Sequence, residues 1–136
     1  TKYDLVSACL QYKIPVVVVG AAGGRKDPGK IQQVDLSQAN QDPILSQMRK
    51  RLRQKRGLPR KGPMGIPVVH SKENPTYWNH KTNEVTEEKP KFFSKPLDCS
   101  TGFGTSVMVT ASMGLMAAHC GLEILLNSRF REGKKF

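Results

Sequence analysis

The sequence predicts an α/β fold: a mixed β-sheet with flanking helices. Three observations carry that prediction. Leu5, Val6, Ala8, Cys9 and Tyr12 recur at helical spacing, and Ile14-Pro15 ends the helix they define. Residues 16–19 then form an unbroken valine run, the pattern of a strand covered on both faces, as in a parallel sheet. A second amphipathic helix begins at Asp42-Pro43, where Asp caps and Pro fits the first turn.

Taken in order, a helix, a short break and a buried strand make half of a βαβ unit. The strand that would precede the helix is not in the sequence, which predicts a piece of something longer. Gly20-Ala21-Ala22-Gly23-Gly24 follows the valine run, at the strand end where open α/β sheets place ligands. It lacks both the GxGxxG spacing and a Gly-Lys-Ser/Thr ending, so a tight, close-packed turn competes with a phosphate loop. Asp27-Pro28-Gly29 is a turn, and residues 30–36 read as a strand that folds back as a hairpin onto residues 16–19. Ile44, Leu45, Met48 and Leu52 give the second helix its apolar stripe, and Gly57 ends it. Residues 64–70 read as a strand, and residues 75–90 as a hairpin with arms Thr76-Tyr77-Trp78 and Glu84-Val85-Thr86. Trp78 or His80 on that hairpin is a candidate platform for an unpaired base.

Residues 100–122 contain no charged side chain, a length that raises the question of a membrane span. The segment is rich in Ser, Thr, Gly and Ala, carries His119, and has small residues at Gly114, Ala118 and Gly121. That composition predicts a core or dimer-interface helix, with no membrane partner. The tail, residues 129–136, is basic and expected to fray.

The chain's 136 residues suffice for one domain, and 22 Lys and Arg against 11 Asp and Glu give a net charge of +11. Such an excess points to a polyanionic partner, nucleic acid ahead of a membrane surface. Arg49, Lys50, Arg51, Arg53, Lys55, Arg56, Arg60 and Lys61 concentrate it, and no Asp or Glu lies between Asp42 and Glu73. Like charges repel along a helix, and a polyanion relieves that repulsion with release of counterions. The 3 cysteines are far apart and form no CxxC pair. Neither a disulfide framework nor a zinc site is expected, and a reducing cytoplasm is. No signal peptide is visible.

Asp98-Cys99-Ser100-Thr101-Gly102-Phe103-Gly104 is the candidate for chemistry. It puts a thiol at the mouth of the uncharged segment. If a helix starts there, its unpaired N–H groups favour the thiolate, which is the nucleophilic form. A buried, inert cysteine is the alternative.

Three blocks in this order resemble one family: KIPVVVVGAAGGRKDPGKIQQVDLSQANQDPILSQMRKRLR, MGIPVVHSKE and LDCSTGFGTSVMVTASMG. Together they resemble the C-terminal half of tRNA threonylcarbamoyladenosine dehydratases, of the HesA/MoeB/ThiF group related to ubiquitin-activating enzymes. The resemblance runs over residues 1–127 and weakens over 72–95. It implies the C-terminal half of a Rossmann-like, ubiquitin-activating-enzyme-type fold. Residues 1–36 would form the sheet end with its Gly-rich turn, 42–62 a basic helix and tail, 64–96 a strand and hairpin excursion, and 97–127 the cysteine loop and core helix.

The implied reaction uses ATP to activate the carboxylate of threonylcarbamoyladenosine beside the anticodon, then closes it to a cyclic form with net loss of water. The resemblance implies Cys99 as nucleophile or substrate contact, with Asp98 orienting it or taking a proton. Gly102 and Gly104 would admit the substrate closely, and Gly23 and Gly24 would face the nucleotide. The basic residues of 49–61 would hold tRNA. ATP with magnesium is implied, its site mostly in an N-terminal half that is missing here, so this chain alone should be inactive. A homodimer is expected, and a sulfur-relay or carrier protein is a further conceivable partner. Two rivals stay open: an adenylating enzyme for a sulfur-carrier or ubiquitin-like protein, and a non-enzymatic basic RNA-binding module.

Overall fold

A computed structural model describes residues 1–79, 82–87 and 104–132, with side chains through residue 127. Helix α1 (Lys2–Gln11) opens on a capping box in which the Thr1 hydroxyl accepts from the Asp4 N–H and the Asp4 carboxylate reaches back to Thr1. Helix α2 (Pro43–Arg56) starts and stops where its capping residues dictate. The Asp42 Oδ1 atom accepts from the Ile44 and Leu45 amides at 3.0 and 3.1 Å, and Gly57 takes the left-handed conformation at φ 65°. Leu45, Met48 and Leu52 are the buried stripe of α2, and each contributes roughly 1.5–3 kcal/mol by leaving water.

Three strands form the main sheet: β1 (Val18–Val19), β2 (Ile31–Asp35) and β3 (Pro67–Ser71), in the order β1-β3-β2. β3 runs parallel to β1, with Val18 opposite Val68, and antiparallel to β2, with Gln33 opposite Val69. The sheet is therefore mixed, as the sequence predicts. The predicted hairpin of β2 onto β1 does not form, because β3 lies between them. Two causes act together. The segment joining β1 to β2 is held away from β1 by bonds to Asp42 and Glu73. And Val68 and Val69 of β3 are both fully buried, one on each face, which only a central strand achieves.

Each face of the sheet carries its own core. Val18 and Val68 pack with Val6 of α1 and with Leu45, Met48 and Leu52 of α2. Val69 and Ile31 pack on the other face with Val109 and Met113 of helix α3 (Val107–Glu132), joined by Val17 and Val19. Alternate valines of the 16–19 run thus serve opposite layers. Arg56 fastens α1 to α2: its guanidinium donates to Ser7 Oγ at 2.7 Å and to Gln11 Oε1 at 3.1 Å. β1 is an edge of the sheet, and Lys2 Nζ donates to its Val19 carbonyl at 2.9 Å.

The hairpin forms as β4 (Tyr77–Asn79) and β5 (Glu84–Thr86), with Trp78 opposite Val85. α3 departs from expectation in two respects. It begins at Val107, not at the cysteine block. And only one of its faces is covered: Val109 and Met113 are buried, whereas Val107, Leu115 and Leu125 are 75%, 74% and 61% exposed. Val107–Asn127 is long and apolar enough to cross a membrane by length and composition, yet its covered face is a layer of this fold.

Asp35 ties the sheet to the chain beyond α2. Its carboxylate accepts from the amides of Ser37, Met64, Gly65 and Ile66 at 2.7–3.2 Å. Burial alone would raise its pKa, but these N–H groups outweigh burial and the pKa is lowered. Its contribution to stability is thus present above the unfolded carboxylate pKa of about 3.9 and is lost as pH falls through the lower folded value. We expect Asp35→Ala to cost about 2–3 kcal/mol in urea unfolding at neutral pH, with an unchanged m-value. The difference from wild type should shrink as the pH is lowered past about 3.9.

Candidate active site at the carboxyl ends of the parallel strands

β1 and β3 run in the same direction, so their carboxyl ends lie side by side. The segment leaving β1 is pinned there by three separate groups. Gly20 N–H bonds the Val69 carbonyl at 2.8 Å, and Ala21 N–H donates to Asp42 Oδ2 at 2.7 Å. A Cβ on Gly20 would collide with the Asp42 carboxylate, so glycine is required. Arg25 is 2% exposed, and its guanidinium donates to the carbonyls of Ala21, Gln41 and Glu73 at 2.7, 2.9 and 3.2 Å. Glu73 Oε2 in turn accepts from the amides of Lys26 and Asp27 at 3.0 and 2.9 Å. Sequence reasoning missed Arg25 and Glu73. Their residue types read as surface charge, and only a charge inside a Gly-rich turn hinted otherwise.

The turn itself is close-packed. Gly24 has φ 71°, and a Cβ there would strike the Thr76 backbone. The Gly24 carbonyl accepts from the Thr76 N–H and hydroxyl, both at 2.8 Å, and the Gly24 N–H donates to the Gly104 carbonyl at 3.1 Å. Most amides of residues 20–27 are thereby spent inside the protein, so the turn is a buttress more than a phosphate cradle. Gly23 is half-buried in it. Gly104 is exposed and links the turn to the segment that precedes α3.

Cys99, Asp98 and Gly102 lie outside the described residues, as does His80. α3 begins at Val107, 8 positions after Cys99 in the sequence. Of the other thiols, Cys120 is buried, and burial raises its pKa, which keeps it protonated and inert. Cys9 is half-buried. Among the described residues no group of three or more His, Cys, Asp or Glu side chains converges as a metal site would require.

His70, on β3, is fully buried, with Nε2 2.8 Å from Gln32 Nε2 and no partner on Nδ1 among the described residues. Burial lowers its pKa, against the pull of Asp42, so the ring is neutral at pH 7.

The basic residues divide into two groups. Arg49 donates to the carbonyls of Leu36 and Ala39 at 3.1 and 2.7 Å, and Arg53 to those of Pro59 and Arg60, both at 3.1 Å. With Arg56, these are fasteners of the fold. Arg51 lies 6.0 Å over the Tyr3 ring. Lys50, Lys55, Arg60 and Lys61 are exposed, and no carboxylate among the described residues pairs with them. Lys50 lies midway along α2, whereas Lys55 is in its last turn and Arg60 and Lys61 follow it, on the order of 20 Å along the helix from the Asp42 end.

The mixed sheet between helical layers is the ThiF-like α/β fold of the solved structures this chain resembles. No family model matches this chain. The chain is a relative of the tRNA threonylcarbamoyladenosine dehydratases. It is 34% identical to the Escherichia coli enzyme over 97% of this chain and 50% of the relative, and 33% identical to the Haemophilus influenzae enzyme over 95% and 48%. A solved structure of TcdA (CsdL) superimposes with a TM-score of 0.76 at 33% identity, covering 95% of this chain and 47% of that one. The E. coli enzyme in complex with ATP gives 0.70 at 30% identity, over 95% and 44%. The chain spans about half the length of the curated relatives it matches.

His70 yields a pH signature. Its folded pKa is below the unfolded value, so the unfolded chain takes up the proton first and stability falls as pH drops below about 6.5. We expect a slope from this group of at most about 1.4 kcal/mol per pH unit, absent in His70→Asn, in urea titrations between neutral and mildly acidic pH.

Proposed function

We propose that this chain is one half of an ATP-dependent tRNA threonylcarbamoyladenosine dehydratase, working in the cytoplasm joined to a segment that carries most of the ATP and magnesium site. The observation that carries this reading is the match in sequence and fold along nearly the whole chain to enzymes of that name, one of them solved with ATP bound. The half-length coverage supports the need for a further segment, and so does the uncovered apolar face of α3.

In this reading the substrate carboxylate attacks the α-phosphorus of ATP and pyrophosphate leaves. AMP then leaves with the carboxylate oxygen, displaced either directly by an internal nucleophile of the same side chain or first by the Cys99 thiolate, whose thioester that internal nucleophile opens to release the thiol; the ring closes with net loss of water. Cys99 acts as nucleophile or substrate contact, with Asp98 beside it. Five peptide units join Cys99 to Gly104, which limits their separation to about 18 Å, and Gly104 is bonded to the Gly turn. Gly23, Gly24, Gly102 and Gly104 would frame the reacting group. The free cations along and beyond the second half of α2 hold tRNA phosphates, a separation suited to a substrate much larger than its reacting base.

The decisive assay follows water loss from the modified nucleoside by mass spectrometry, with tRNA, ATP and the intact natural polypeptide. Cys99→Ala should lower kcat at least ~100-fold if the thiol is a nucleophile. Full activity in that variant would remove the thiol from the chemistry, and no dehydration by the wild type would overturn the reading. This chain alone should show no ATP binding comparable to that of the intact polypeptide.

The two groups of cations make a separate prediction. Replacing Lys50, Lys55 and Lys61 by Glu should weaken tRNA binding at an unchanged melting temperature. It should also flatten the slope of log K against log salt by about 0.7–0.9 per lost phosphate contact. Arg56→Glu should instead lower the melting temperature, because it unfastens α1.

A further inference from the structure

A cleft of about 340 Å³ lies between the β4–β5 hairpin and the amino end of α3. That is near the lower bound for small-ligand sites, on the order of 300 Å³. Its apolar wall is Trp78 with Val85, cross-strand partners that share one face of the hairpin. Val85 is 63% exposed and Trp78 half-buried, so the hairpin leaves this face uncovered. Thr105, Ser106 and the exposed Lys26 also line the cleft. Among the described residues no carboxylate lines it, and Glu73 is turned to the backbone amides of the neighbouring turn. Thr76 and Gly104, which bond the Gly turn on either side, hold the two walls together.

We infer that this cleft seats one unstacked base of the RNA, with Trp78 as the stacking platform and Lys26 on the adjoining phosphate. An indole face accepts any base, while a duplex keeps its bases stacked inside and cannot enter. The cation beside the ring adds the backbone contact that a single strand carries with each base. The hydroxyls of Thr105 and Ser106 are the groups available to a base edge. The inference rests on the proposed action on tRNA and adds a subsite to it, distinct from the lysines along and beyond the second half of α2.

Trp78 is the only tryptophan in the chain, so its fluorescence reports on this cleft alone. The full chain is titrated with a dye-labelled single-stranded RNA of anticodon-loop length, following dye anisotropy for binding and indole emission for stacking. Inorganic polyphosphate and a blunt RNA duplex are the controls. The expected result is quenching by the single strand and none by polyphosphate or duplex. Trp78→Ala should bind the single strand about 5- to 100-fold more weakly, Trp78→Phe should recover most of that loss, and Lys26→Ala should weaken binding several-fold with full quenching at saturation. Binding by anisotropy without quenching, or Trp78→Ala binding as tightly as wild type, overturns the stacking inference and leaves the tRNA reading intact. No binding of any RNA overturns both.

Discussion

The Asp42 carboxylate is the interaction on which the rest of this structure depends. One oxygen caps α2 through the Ile44 and Leu45 amides, and the other holds the Ala21 amide of the turn that leaves β1. A single buried side chain thus sets the start of a helix and the position of a strand's outgoing loop. The geometry leaves no slack, since Gly20 has no room for a Cβ beside that carboxylate. Arg25 and Glu73 extend the same arrangement. Both are buried charges satisfied by main-chain groups, so they fix backbone instead of neutralising each other.

This latch explains why the loop can be rich in glycine and still be well placed. A Gly-rich segment loses more conformational entropy on ordering than any other. Here bonds from α2, from the end of β3 and from Thr76 offset that loss. The rigid result supports Gly104, and through it the segment that leads into α3.

Local signals were readable from the residues where they act over a few positions. Asp42-Pro43 and Gly57 bounded α2, the valine pair of β3 marked a strand, and the hairpin arms at Tyr77 and Glu84 were found in place. What escaped was set by distant contacts. Nothing in residues 30–36 says that β3 will come between β2 and β1. Helical spacing placed Arg49, Arg53 and Arg56 on α2, but not the carbonyls and hydroxyl that their guanidinium groups reach. The uncharged stretch before and within α3 concealed where the helix begins, because Gly104-Thr105-Ser106 has the same small-residue composition as the helix itself. The candidate site was legible only as a place, the strand end with its glycines. Cys99, its chemical centre in the sequence, lies outside the described residues.

β1 contributes two residues and pairs on one side only. Among the described residues, the Lys2 ammonium on the Val19 carbonyl is the side-chain bond that reaches its outer row of peptide groups. Such a border is a template for β-augmentation, by a further strand of the same sheet or by a second molecule docking in its place. Handled at high concentration, the chain therefore has a built-in route to self-association that depends on main-chain complementarity and ignores side-chain identity.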